Sequence, residues 1–168
     1  MFEGAHAVML TYETAIGRYP LQAMRVLSDI CREAERSIDY RTEYIELRKD
    51  VRPPVLVTSS VASTVALIAY DVQAKLVVLI APSPALSLEI AAYRQAHVVH
   101  VTDNAVEARA AMLLRGRSIW LVKRGAVDSV DIDALLFALR DAGLAEPGSV
   151  AIVVKKDDKE IMLYSVKN

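Results

Sequence analysis

Short apolar runs alternate with segments of helical period along most of this 168-residue chain. Apolar runs rich in β-branched residues are typical of strands buried on both faces, as in parallel sheets. From residue 55 onwards they predict four strands, at 75–81, 97–101, 118–122 and 149–154. A fifth run, 160–166, follows the polar turn KKDDK at 155–159, so we expect it to pair back as an antiparallel edge strand.

Helical patterns separate these strands. The first helix is capped within Thr58 to Ser60, and steps of four, three and four predict its buried face, namely Val61, Val65, Ile68 and Val72. Ser83 is expected to cap the next helix, with Leu86, Ile90 and Tyr93 inside. Two more are predicted, one capped by Thr102 or Asp103 and ending at Leu114, and one over 128–142.

This order predicts an α/β fold, a three-layer α/β/α sandwich with a mixed five-stranded sheet of four parallel strands and one antiparallel edge strand. The first part of the chain does not fit that sandwich. Ala5 to Leu10 is predicted to be a strand, and a loop and a helix beginning at Pro20 follow it. We therefore expect a strand-loop-helix from another domain over 1–38, a polar linker over 39–54 with a helical turn or two at most, and the sandwich over 55–168.

Composition narrows the function classes. The formal net charge is −1, which predicts no general attraction to nucleic acid or to an anionic membrane. The single cysteine, Cys31, excludes an intrachain disulfide and is expected to be a buried thiol. We read no signal peptide and no membrane span, so a cytoplasmic protein is expected.

Isolated polar residues give weaker signals. His97 and His100 are three apart in one strand and should face opposite sides, so they are not expected to form a metal pair. Arg115, Arg117 and Arg124 are interpreted as a solvated surface. No G-x-G-x-x-G follows any strand, which disfavours a nucleotide-binding oxidoreductase.

The stretch MLTYETAIGRYP, followed by a helix that contains REAE, resembles the end of the catalytic barrel of pyruvate kinases. The family pattern there is approximately M-L-S-G-E-T-A-x-G-x-Y-P. GLAEPGSVAIVV at 143–154 is similar to a later family segment, so the resemblance covers essentially the whole chain and is sharpest over 1–36. It implies that 1–38 is the last βα unit of a TIM barrel and 55–168 the C-terminal regulatory and assembly domain.

The resemblance implies phosphoryl transfer from phosphoenolpyruvate to ADP, giving pyruvate and ATP, with Mg²⁺ and K⁺ in a homotetramer. The residues that hold the metals and substrates come from earlier barrel units, since barrel enzymes gather these groups from many strands. This chain alone is therefore expected to be inactive and to bind neither ion. Its expected partners are the remaining barrel and further copies. The alternative is a free-standing domain that senses a phosphorylated metabolite without catalysis.

Two candidate sites follow from the resemblance. Thr11 and Glu13 correspond to a loop that borders the substrate site, although Glu13 is not expected to act directly and could be only a structural carboxylate. Ser83 matches one residue of the family's effector loop, S-G-[RK]-[ST], and Ser87 lies one helical turn further on. Pro84, Ala85 and Leu86 replace that loop's other ligands, so a plain helix cap is favoured over a site for a different anion. Fructose 1,6-bisphosphate is not expected to bind.

Overall fold

A computed structural model describes residues 4–93, 96–155 and 160–167. A short helix, α1, precedes the long helix α2, and two more helices lead to a sheet in which strands and helices then alternate. The elements are α1 (Tyr12–Ala15), α2 (Pro20–Arg36), α3 (Tyr40–Lys49), α4 (Val57–Asp71), β1 (Leu76–Ile80), α5 (Pro84–Tyr93), β2 (His97–Thr102), α6 (Ala105–Ala111), β3 (Arg117–Leu121), α7 (Ile132–Asp141), β4 (Val150–Lys155) and β5 (Glu160–Ser165).

The five strands form one sheet in the order β3-β2-β1-β4-β5. Strand β1 pairs in parallel with β2 and β4, and β3 extends the parallel part beyond β2. Strand β5 pairs antiparallel with β4, with Val150 opposite Ser165. The predicted mixed sheet and its antiparallel edge are confirmed. Residues 156–159, most of the predicted KKDDK turn, lie outside the described residues.

A core lies on each face of the sheet, because alternate residues of a strand point to opposite sides. Val78 and Ile80 pack on the side of α7, together with Leu135 and Leu139 of that helix. On the other side lie α4 and α5, packed on β1, β2 and β4. Helices on both faces make this the expected three-layer sandwich.

The buried face of α4 differs from the predicted stripe. Val65 is buried, but Val72 is 37% exposed and the other buried positions are mostly alanines, at 62, 66 and 69. Small side chains let α4 approach α5 and the sheet closely, and α4 and α5 are in extensive contact. Val61 and Ile68 pack against the same core as Val65, so the predicted stripe is confirmed except at Val72, and the alanines complete the face.

The strand predicted at Ala5 to Leu10 is not formed. These residues have no ladder, because no strand in the described part of the chain lies beside them. The helix predicted from Pro20 is confirmed as α2, yet none of its residues is buried. A set of large apolar side chains from residue 8 to residue 30 is more than 45% exposed: Val8, Met9, Tyr12, Ile16, Tyr19, Leu21, Met24, Val26 and Ile30.

The polar segment over 39–54 is more ordered than predicted, since it contains the ten-residue helix α3. The carboxylate of Asp39 accepts hydrogen bonds from the backbone N–H groups of Arg41 and Thr42, which caps the helix. The rings of Tyr44 and Tyr93 lie 5.6 Å apart and join α3 to α5.

Two helix starts after the first β-α-β unit also differ from expectation. Asn104, rather than Thr102 or Asp103, caps α6, because its side chain accepts from the N–H of Val106. The helix predicted over 128–142 is divided into a 3-10 turn at 127–129 and α7, which Asp131 caps.

Candidate functional site

The loop that carries Thr11 and Glu13 lies on the exposed N-terminal segment. The backbone N–H of Thr11 donates to the Glu13 carboxylate over 3.0 Å, and the Thr14 hydroxyl donates to the Thr11 carbonyl. Hydrogen bonds from the backbone N–H of Glu13 itself, and then from that of Thr11, lower the pKa of the Glu13 carboxyl. A Cβ at Gly17 would collide with the Glu13 carbonyl oxygen, so glycine is required where the chain leaves α1. The loop thus holds an ionised carboxylate in place, and no hydrogen bond among the described residues joins that carboxylate to the sandwich.

Ser83 lies at the start of α5, as predicted. The N–H of Leu86 donates to the Ser83 hydroxyl over 3.1 Å, which is the geometry of a helix cap. Ala81, between β1 and this cap, has a positive φ of 47°, an unusual conformation for a residue with a Cβ. Ser83 therefore supports the backbone here, and a role in binding an effector stays a prediction.

Ser87 faces inward instead of towards the helix start. It is buried, and its hydroxyl lies 3.3 Å from Nδ1 of His100 in β2. His100 is itself 4% exposed, and its Nε2 has no hydrogen-bond partner among the described residues. The structure thus places Ser87 one helical turn below Ser83, with the Ser87 N–H donating to the Ser83 carbonyl, and brings the Ser87 hydroxyl together with a histidine that the sequence pattern did not select.

Arg117 of β3 joins this cluster. The prediction from the sequence that it lies on a solvated surface is wrong. Its Nη2 donates to the Ser87 carbonyl oxygen, while Nε and Nη1 are buried without a partner among the described residues. Burial lowers the pKa of Arg117 to about 10, so it stays charged at neutral pH. Burial, and then the Arg117 charge, lower the pKa of His100 to about 4, so His100 is neutral.

Arg115 is also buried rather than solvated, but it has a carboxylate partner. Its Nε lies 2.7 Å from Oε1 of Glu35, with side-chain exposures of 8% and 37%. This ion pair joins the end of α2 to the start of β3. It lines an open depression of about 710 Å³ beside the amino ends of the strands.

The two histidines of β2, His97 and His100, do not come together as a metal pair. His97 bonds Ser118 through Nε2 at 2.9 Å, on the sheet face opposite His100. Among residues 4–93, 96–155 and 160–167, no three of His, Cys, Asp and Glu are grouped closely enough to hold an ion. No helix in that part of the chain is long and apolar enough to cross a membrane.

Known proteins resemble this chain over most of its length. No protein-family model matches the sequence. A pyruvate kinase from Dictyostelium discoideum is 29% identical over 159 residues, which is 92% of this chain and 31% of that protein. Pyruvate kinase 2 from Candida glabrata is 34% identical over 117 residues, covering 69% of this chain and 23% of that protein.

Solved structures agree with the sequence comparison. A crystal structure of Cryptosporidium parvum pyruvate kinase superimposes with a TM-score of 0.86 at 29% identity, covering 95% of this chain and 33% of that one. The chain is a relative of the C-terminal portion of pyruvate kinase. It spans about a third of the length of these relatives. The complex of the C. parvum enzyme with ADP also matches, with a TM-score of 0.74.

The motifs shared with pyruvate kinases and the buried cluster are therefore different features of the chain. Thr11, Glu13 and Ser83 were found because they lie in motifs. His100 and Arg117 were missed because each occupies an ordinary strand position, and only strand pairing and the crossing of α5 bring them beside Ser87. One signal was available in the sequence: a histidine and an arginine stand at strand positions that usually hold apolar residues.

Proposed function

We propose that this chain supplies the C-terminal portion of a pyruvate kinase, which transfers a phosphoryl group from phosphoenolpyruvate to ADP and yields pyruvate and ATP. The observation that carries the proposal is the match of 95% of the chain to one third of a pyruvate kinase structure. The part corresponding to the other two thirds would provide most of the active site. In this proposal the chain contributes the border of the substrate site and a domain for assembly and regulation.

Glu13 and Thr11 are the residues that we place at that border. Glu13 is exposed and ionised, and it is held by the N–H of Thr11, so its position is set before any substrate arrives. A single carboxylate does not match the ligand set of Mg²⁺, which is usually held by carboxylates and substrate phosphates together. We therefore propose that Mg²⁺ and K⁺ would be held by the remaining barrel and not by this chain.

The exposed apolar side chains of residues 8–30 support the same proposal. Nine large exposed apolar side chains in so short a segment are unusual on a soluble monomer, and they indicate surface that another protein covers. We propose that the remaining barrel covers it, and that further copies of the chain complete a homotetramer. A cytoplasmic location is proposed with it, since one relative is named a cytosolic isozyme.

A phosphorylated effector would have a weak site at Ser83. The helix start offers N–H groups to an anion, but Ala85 and Leu86 supply no charge-assisted donor beside them. Fructose 1,6-bisphosphate, with two phosphates, would need several such donors. We therefore propose that it is not the effector of this chain.

The experiment that tests the function is a chimera. The matching C-terminal third of C. parvum pyruvate kinase is replaced by this chain, and pyruvate formation is followed by a coupled assay. We expect the chimera to turn over phosphoenolpyruvate and the isolated chain to show no turnover. A folded chimera without activity, or turnover by the isolated chain that scales with its concentration, would contradict the proposal.

Two substitutions sharpen this experiment. Glu13→Gln in the chimera should lower kcat/KM by about tenfold or more if the carboxylate borders the substrate. Ser83→Ala is the matched control, because it removes a cap elsewhere in the chain and should cost only stability. Equal activity of the Glu13→Gln and Ser83→Ala chimeras would show that the Glu13 carboxylate does not border the substrate site.

A further inference from the structure

A separate cavity lies between α5 and α6, above β2. Its volume is about 230 Å³, which is the space of roughly seven or eight water molecules. Most of its lining is apolar and comes from the two helices and the loop before α5: Pro82, Pro84, Leu88, Ala110, Ala111 and Leu114. This cleft is suited to the hydrocarbon part of a small molecule.

The floor of the cleft is polar. Ser87 and His100 line it, and the Ser87 hydroxyl lies 3.3 Å from Nδ1 of His100. When that hydroxyl donates to Nδ1, the neutral imidazole carries its proton on Nε2 and can donate from there. Nε2 is buried and has no acceptor among the described residues, so one hydrogen-bond partner of this histidine is missing.

Arg117 lies directly behind these two lining residues. It contacts the Ser87 carbonyl through Nη2, and the Arg117 charge acts on His100. No ion pair is formed by Arg117 within the described residues, although Arg115, two positions earlier, pairs with Glu35. A buried charge without a counter-ion is costly, so Arg117 destabilises the empty domain unless an anion is nearby.

Glu107 is a carboxylate that lines the cleft and acts on His100, but it forms no ion pair with Arg117 among the described residues. Glu107 lies at the rim and is exposed, and it accepts hydrogen bonds from the Thr102 hydroxyl over 2.9 Å and from the Asn104 amide over 3.2 Å. It is therefore engaged at the start of α6. An external anion is the group that the cleft lacks.

We propose that the cleft between α5 and α6 binds a small monocarboxylic acid with an apolar body. The hydrocarbon part packs between the helices, and the carboxylate accepts a hydrogen bond from Nε2 of His100. The Arg117 charge stabilises the bound anion from behind. The cleft adjoins the helix start at Ser83, since Pro82 and Pro84 line it, and the proposal does not depend on the function proposed above.

Hexanoate is the probe for this site, and hexanamide is its uncharged match. The full 168-residue chain, labelled with ¹⁵N, is titrated with each compound and amide shifts are followed by NMR. We expect saturable shifts confined to α5, β2 and α6 with hexanoate, and an affinity about tenfold lower with hexanamide. No saturable shift with hexanoate, equal affinity for the two compounds, or shifts spread over the whole molecule would each overturn the proposal.

Substitutions then locate the site. Ala111→Leu fills the cleft and should abolish binding, while Ala134→Leu on the exposed side of α7 should leave binding unchanged. Arg117→Met should lose about tenfold or more in hexanoate affinity, yet keep or raise the melting temperature, because it removes an uncompensated charge. Hexanoate binding that survives Ala111→Leu or Arg117→Met would overturn the proposal.

Arg115→Met is the matched control for Arg117→Met. It removes the partner of Glu35, so it should lower the melting temperature and leave hexanoate affinity unchanged. If Arg117→Met does not fold, the comparison of hexanoate with hexanamide on the parent chain, together with Ala111→Leu, still decides the outcome.

Discussion

At the scale of single residues, neighbours decide what each polar side chain does. Arg115 and Arg117 differ by two positions, but one forms an ion pair with Glu35 and the other forms none within the described residues. His97 and His100 both have lowered pKa values, caused first by burial. For His100 the Arg117 charge lowers the pKa further, while Glu107 acts in the opposite direction.

The lowered pKa of His100 predicts a loss of stability in mild acid. The unfolded chain binds a proton at this histidine below a pKa of 6.5, whereas the folded chain does so only below about 4. As the pH falls from about 7 to about 4, the unfolded state is therefore favoured progressively, and the free energy of unfolding falls by at most about 3 kcal/mol. Above pH 7 this contribution is constant.

Denaturant unfolding of the parent chain and of His100→Leu at several pH values between about 7 and 5 measures the effect. The variant should lose stability less steeply with falling pH, whatever its stability at pH 7. His97→Gln is the control for the other histidine, whose pKa is also lowered. Parallel slopes for the parent and His100→Leu would show that the pKa of His100 is the same in the folded and unfolded states.

At the scale of elements, the parallel sheet and the N-terminal segment differ in how their backbones are satisfied. Strands β1, β2 and β4 have partners on both sides, and their residues are buried. Ala5 to Leu10 have the apolar composition of a strand but no neighbouring strand in the described structure. A strand needs a ladder as well as an apolar sequence, because its N–H and C=O groups must be paired.

Hydrogen exchange should reveal this difference. We expect the amides of Ala7 to Leu10 to exchange at rates close to those of an unfolded peptide, and those of Val77 to Ile80 to require opening of the whole domain. In the chimera with the missing barrel, Ala7 to Leu10 should become protected. Equal protection of both segments in a monomer of the isolated chain would refute this expectation.

At the scale of the whole molecule, the sandwich has a buried core, whereas α1 and α2 are exposed and contain no buried residue. The sandwich is anchored by cores on both faces of the sheet, but α2 has no buried residue and reaches the sandwich near its end through Glu35 and Arg115. Removing apolar surface from water lowers the free energy by about 25 cal/mol per Å². We therefore expect the isolated chain to associate.

Sedimentation measurements should show self-association of the isolated chain at micromolar concentrations. Met24→Glu combined with Ile30→Glu should shift the chain towards monomer, because both belong to the exposed apolar side chains of residues 8–30, at 53% and 58% exposure. Leu113→Glu, which changes a leucine outside that segment with 69% exposure, should not. A strictly monomeric parent chain, or an equal effect of Leu113→Glu, would argue against association through this segment.

The sequence by itself determined the class of fold, the five strands of the sheet and the relationship to pyruvate kinase. Those features are encoded locally: apolar runs such as 75–81 mark strands wherever they occur, and the motif from Met9 to Pro20 needs no structure to be compared. The cap at Ser83 was predictable for the same reason, since its hydrogen bond spans three residues.

Only the tertiary structure decided which residues meet. Ser87, His100 and Arg117 come from three elements, and no local pattern records that β2 and β3 are neighbours or that α5 crosses above them. The same holds for Ala5 to Leu10, whose strand was predicted from composition and depends on a partner strand that the described residues do not provide. Local sequence sets which conformations are favourable, and pairing between distant segments sets which of them form.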